Sequence, residues 1–219
     1  MDETRLADEA PAAALFPQFE SRVYDMFAAE VAGLTEAQLD FESDRWEWSR
    51  WSIRRNVSHV ASGDFRWLVL RWGDVLFPEG LPSLGDLDDP EAYSGRVLRE
   101  DRYWAMDDVL GVLRRGLDLC VSVLARETVA SLRSKEITTD NTPQWRLFTQ
   151  AHPTGMRPDT EDDSVCHMTL EATFRHRWFE HTTHLYNVQR LKRAQGLTPA
   201  VEIPMEGYWA LPAWDRSEP

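Results

Sequence analysis

The stretch Phe174–Arg193, FRHRWFEHTTHLYNVQRLKR, constrains the fold most, because it sets ionisable groups inside a segment with the apolar pattern of a core helix. At about 100° per residue, Leu170, Phe174, Trp178, Leu185 and Val188 fall on one stripe with His181 at its centre. His184 lies one turn further on and roughly 60° round, so both imidazoles can face one interior space. His176 points the other way. Glu180 sits at the edge of the stripe, where it can join the histidines or reach solvent. Two imidazoles one turn apart can hold a single metal ion. The other reading of the pair is one core histidine bonded to a backbone carbonyl and one rim residue.

A chain of 219 residues can bury a single good core, and nothing in it forces two domains. Residues 1–16 are acidic and alanine-rich without a sustained period, which predicts a flexible arm, frayed or loosely docked, ahead of one domain over 17–219. The net charge of −13 with no basic block argues against a nucleic-acid surface. No apolar run approaches the length of a membrane span, and the N-terminus lacks the positive region and apolar core of a signal peptide, so the expected location is cytoplasmic. The two cysteines, Cys120 and Cys166, have no CxxC spacing and suggest no disulfide framework. Ten tryptophans are many for this length. Trp46, Trp48, Trp51, Trp67 and Trp72 crowd one third of the chain, which suits a bulky core or an aromatic-walled pocket.

Four apolar periodicities predict helices near 17–32, 52–74, 106–134 and 167–195, hence an all-α four-helix bundle. Gly33 is a stop for the first, and Thr35-Glu36-Ala37-Gln38 has the form of a capping box. Ser52 is the candidate N-cap of the second. Beside that helix's apolar face runs a strip of small and polar residues, Ser52, Asn56, His59 and Gly63, which is what a cavity wall needs. Taken alone, His59 reads as a flank histidine. Residues 78–101 and 137–165 carry several breakers each and are expected to be irregular. The tail 201–219, with Tyr208, Trp209, Leu211 and Trp214, is too apolar for a solvated end and is expected to pack on the bundle or on a second subunit, most simply as a homodimer.

Gly33-Leu34-Thr35-Glu36-Ala37-Gln38-Leu39, then Trp51-Ser52-Ile53-Arg54-Arg55-Asn56-Val57-Ser58-His59-Val60-Ala61, then the histidine-bearing last helix, together resemble the DinB/YfiT-like superfamily of bacterial four-helix proteins. The resemblance runs from about Pro17 to Gln195. It implies a bundle whose second helix gives one histidine to a divalent metal and whose fourth gives two, usually as His-x-x-x-His. His59 is then the first ligand. The last helix departs from the pattern, since His181 and His184 are three apart and the residue four before His184 is Glu180. The mid-stripe position favours His181 as the partner of His59 and His184, with Glu180 as the alternative ligand or a partner behind the ligands.

The resemblance further implies a metal-dependent enzyme acting on a small-molecule substrate, such as a transferase using a low-molecular-weight thiol, or a hydrolase. An open coordination position would bind the thiol or water. Three imidazoles favour zinc or nickel, and a carboxylate shifts a site toward harder ions. No GxSxG, P-loop or GxGxxG motif supplies chemistry of its own. The competing function is a non-catalytic bundle that holds a small ligand or a metal in a Trp-lined cavity. Ser52, Asn56 and Trp178 are the pocket candidates.

Overall fold

The computed structural model describes residues 7–219, with the side chains of 143–146 excepted. The fold is mostly α, with eight α-helices and a three-stranded sheet among the described residues. A segment of 3-10 turns over Ala12–Phe19 leads into α1 (Arg22–Val31), which buries Val23, Met26, Phe27 and Val31. The capping box at Thr35 and Gln38 forms and opens the short α2 (Glu36–Leu39). Ser52 caps α3 (Ile53–Phe65) by accepting from Arg55 N–H, and the helix continues as a π-helical run Arg66–Arg71 and the turn α4 (Gly73–Leu76). Every residue of α3 except Arg55 is buried, because it packs between α5 (Met106–Leu124) and α8 (Leu170–Ala194). Helix α1 completes the core against α5 and α8.

Three expectations change. The arm's residues 1–6 lie outside the described residues, but the rest of it is docked. Pro11 bridges Thr128, Ala12 N–H donates to Glu127 O at 3.0 Å, and Phe16 packs 5.6 Å from Phe174. The apolar side chains of Ala12 and Phe16, hidden in an acidic context, anchor it. The helix expected over 106–134 is two, because Thr128 and Ser131 form a second capping box that starts α6 (Val129–Ser134) anew. Finally, the span 137–165 and the expected start of the last helix at 167 hold an antiparallel sheet. Strand β1 (Glu136–Asp140) pairs with β3 (Val165–Thr169) in the register Glu136↔Thr169, and β3 pairs with β2 (Met156–Pro158) through Met168↔Met156. Helix α7 (Pro143–Ala151) lies between β1 and β2. Strand β3 turns Cys166 and Met168 into the core and leaves Val165, His167 and Thr169 half-buried, an alternation of period two. Thr169 then caps α8, so the helix begins at Leu170.

The tail packs on its own chain. Tyr208 and Trp209 are buried, and Trp209 stacks on Tyr186 of α8 at 4.5 Å. Glu30 of α1 fixes where the tail leaves α8 by accepting from the backbone N–H of Ala200 and Val201 and from Lys192 Nζ at 2.6 Å. A second copy would therefore have to use a face other than these two rings.

At the centre, Asp64 of α3 is fully buried and takes Arg177 Nε at 2.9 Å, while Arg177 Nη2 donates to Val60 O at 3.1 Å. Two glycines make room for the pair. A Cβ on Gly63 would stand 2.5 Å from Arg177 Nη2, and one on Gly116 of α5 would stand 3.0 Å from the Asp64 Cβ. Replacing Asp64 by Ala leaves Arg177 as a buried charge without its partner, at an expected cost of about 3–5 kcal/mol. Urea unfolding of Asp64→Ala beside the parent protein measures this, and a loss below about 1 kcal/mol, the scale of a surface pair, would show that the ion pair is not holding α3 to α8.

Candidate metal centre

Helix α3 presents His59 and helix α8 presents Glu180 and His184, the latter two one turn apart. His59 Nε2 stands 3.3 Å and His184 Nε2 stands 3.6 Å from the same oxygen, Glu180 Oε2. The two imidazole rings are 4.5 Å apart, and one donor atom from each of the three residues lies within 4.8 Å of the others. Donors held about 2.1 Å from one tetrahedral ion stand about 3.4 Å from each other, so the three side chains fit a single cation with little movement.

Both rings are held from behind. His59 Nδ1–H donates to the carbonyl of Arg96 at 2.5 Å, and His184 Nδ1–H donates to Asn56 Oδ1 at 2.7 Å. The amide of Asn56 cannot present its nitrogen instead, because Nδ2 donates to Ser52 O at 2.9 Å and Trp51 O at 3.2 Å. With Nδ1 of each ring donating to the acceptor behind it, Nε2 of both rings is turned toward the carboxylate, and in neutral His59 it presents its lone pair there. Burial, and then the neighbouring His184, push the pKa of His59 down to about 4, so it is neutral at pH 7. Burial works against the charge of Glu180, but its contacts with His184 and His59 outweigh it and hold the carboxyl well below its usual range. Nε2 of each ring and the ionised carboxylate thus converge on one point, where the carboxylate's charge favours a positive group, a proton or a metal ion.

The residues expected from sequence divide. His59 and His184 converge, and Glu180, not His181, is the third member. His181 is fully buried. Its Nε2 stands 3.3 Å from Asp64 Oδ2 and its ring meets Phe19 and Phe27 edge-on at 5.8 and 6.5 Å. The mid-stripe position that favoured it carries it into the centre of the core, while Glu180 and His184 at the flank reach the cavity. Trp178 faces the tail, donating to Glu206 Oε2 at 2.6 Å, and does not line the cavity. Ser52 acts through its carbonyl on Asn56, which does line it.

The three candidate ligands open on a cavity of about 670 Å³ walled in part by Trp48, Trp51, Trp67 and Trp214. Trp51 meets His59 edge-on at 5.3 Å and lies 6.3 Å from His184 in near-parallel stacking. Sequence reasoning missed the Arg96 carbonyl, to which no side-chain pattern points. It also missed Arg66, the first residue beyond α3, which its helical spacing from Asn56, His59 and Gly63 signals.

Comparison with family models, with curated proteins and with solved structures finds no match. Among the described residues, no helix is long and apolar enough to cross a membrane.

The buried histidines make stability depend on pH. His59 is lowered to about 4 and His152 to about 3, each chiefly by burial, against about 6.5 in the unfolded chain. Below 6.5 the unfolded chain takes up protons that the folded one refuses. Their contribution is therefore complete above pH 6.5 and is lost as pH falls toward 4, with a slope of up to about 1.4 kcal/mol per pH unit for each histidine. Unfolding of metal-stripped protein between pH 7 and 5, above the carboxylate range, should show this decline, and a flat profile there would contradict it.

Proposed function

We propose that His59, Glu180 and His184 bind one divalent metal, and that the chain is a four-helix-bundle protein of the DinB/YfiT type that acts on a small molecule in the adjoining cavity. The observation that carries this reading is the convergence of three donors whose two imidazoles are each oriented by a fixed acceptor behind the ring. The site of His59 on the second long helix, and of Glu180 and His184 one turn apart on the last, agrees with the family arrangement once Glu180 stands for the first histidine of the His-x-x-x-His pair.

Two imidazoles and one carboxylate suit zinc, and suit harder ions better than three imidazoles would. Three protein ligands leave positions open, and a metal there would lower the pKa of a bound thiol or water to give a nucleophile near neutral pH. That chemistry supports a thiol-dependent transferase or a hydrolase. The chain's own part is to hold the donors, to exclude bulk water with Trp51 and Trp48, and to keep a negative ligand set against a cation. The tryptophan wall favours a second reading, in which the cavity retains a small ligand without turnover. Metal binding without thiol conjugation or hydrolysis across a substrate panel would select it.

Metal content of protein purified without added metal, followed by titration of zinc into stripped protein, tests the centre. His59→Ala, Glu180→Ala and His184→Ala should each weaken binding by about a hundredfold or more, and Asn56→Ala by about ten- to a hundredfold through loss of the tether on His184. His181→Ala should keep the metal while losing stability. Unchanged affinity in the three ligand variants, or loss of metal only in His181→Ala, would refute the assignment.

A further inference from the structure

The chain carries a charge of −13, yet its cavity is rich in arginine. Most of these cations are already engaged. Arg177 holds Asp64, Arg50 pairs with Glu47 at 2.8 Å, Arg96 lies over the Trp51 ring at 4.8 Å, and Arg71 lies over Trp67 at 4.5 Å and donates to Thr139 Oγ1. Arg66 differs. Its side chain has no hydrogen bond or ion pair among the described residues, it is half-buried, and its Nε is buried without an acceptor. Burial, and then the charge of Arg177, push its pKa down to about 10, and the carboxylate of Glu180, which forms no ion pair with it, offsets this only in part. A buried donor left unsatisfied is destabilising, and a bound acceptor would relieve it.

We propose that the cavity binds a small organic carboxylate, and that the guanidinium of Arg66 is the group that receives it. The fork of N–H donors on a guanidinium matches the two oxygens of a carboxylate. Arg96 also lacks an anion among the described residues but lies exposed over the Trp51 ring, so Arg66 is the half-buried guanidinium with a buried donor to satisfy, and one such fork matches one carboxylate. The placement sets the ligand's length. Arg66 is seven residues beyond His59, which puts it within about 20° of the same face of the helix and about 10 Å further along the axis. A molecule that joins a carboxylate to a thiol or other donor through a chain of about six carbons would span from Arg66 to the candidate metal. Only this second anchor rests on the proposed metal centre; the carboxylate contact does not.

The test pairs 6-mercaptohexanoate with 6-mercaptohexan-1-ol on zinc-loaded protein, and hexanoate with hexan-1-ol on metal-stripped protein, by titration calorimetry on the parent chain and on Arg66→Gln. In each pair the carboxylate should bind at least about tenfold more tightly than the alcohol, the order expected of a charge-assisted hydrogen bond. Arg66→Gln should abolish that preference while leaving the alcohols and the zinc content unchanged, and Arg66→Lys should restore part of it. If the preference survives in Arg66→Gln, or the parent shows none in the stripped protein, the proposal is overturned; so it is if hexyl phosphate binds through Arg66 more tightly than hexanoate. If zinc fails to bind but the Arg66-dependent preference in stripped protein persists, the metal reading falls and this one stands.

Discussion

The buried pair between Asp64 and Arg177 is the contact on which the placement of everything else depends. A carboxylate and a guanidinium withdrawn from water are tolerated only when each meets the other in good geometry, so helices α3 and α8 have one acceptable relative position. Burial opposes the charge of Asp64, and His181 and Arg177 together outweigh it and keep its pKa low. With that point fixed, the residues one and two turns nearer the start of α3 are carried past the flank of α8. His59 then meets Glu180 and His184 without any contact of its own having to set the alignment. The glycines at 63 and 116 belong to the same arrangement, since a methyl group at either would push against the pair.

The site is built with its rigidity outside the ligands. The tether on His184 runs through Asn56 to the carbonyls of Trp51 and Ser52 just ahead of α3, and the tether on His59 runs to the Arg96 carbonyl in the loop between α4 and α5. Neither imidazole has to be ordered by the cation itself, so little side-chain entropy opposes binding. Two histidines away from the centre, His152 and His176, are parts of the core that burial holds neutral. His152 Nε2 and His176 Nδ1 both reach the hydroxyl of Tyr208, at 2.9 and 2.7 Å, and fasten the tail to α7 and α8.

How far the sequence could be read follows from which physics each element uses. Helical segments near the four expected positions were legible because apolar residues recur at helical spacing in each, and the caps at Thr35 and Ser52 were legible because capping is local chemistry. The sheet was missed because its strands are only three to five residues long and sit among prolines and glycines, although the alternation in Val165-Cys166-His167-Met168-Thr169 was there to find. The break between α5 and α6 depends on a threonine cap inside an otherwise helical run. At the candidate site, periodicity pointed to the helix and to the strip of α3 that line the cavity but ranked His181 above Glu180. Depth along a stripe measures distance from solvent; it does not say which neighbouring helix a side chain meets. That required the three-dimensional position of Asp64.

The oxygen that orients His59 belongs to the main chain of residue 96, and this has a consequence for how variation at the site would look. Any amino acid at position 96 supplies the same carbonyl, so exchange there need leave no trace in the geometry of the ring. The control lies instead with the residues that pin the loop: Leu98, fully buried, whose N–H donates to Ser58 Oγ at 2.9 Å, and Tyr93, packed 5.2 Å from Phe65. A position-by-position scan of tolerated substitutions would therefore be quiet at the contact itself and sharp at two apolar residues that touch no ligand. The chemistry of the imidazole is inherited through the shape of a loop, and its determinants are found among residues that look purely architectural.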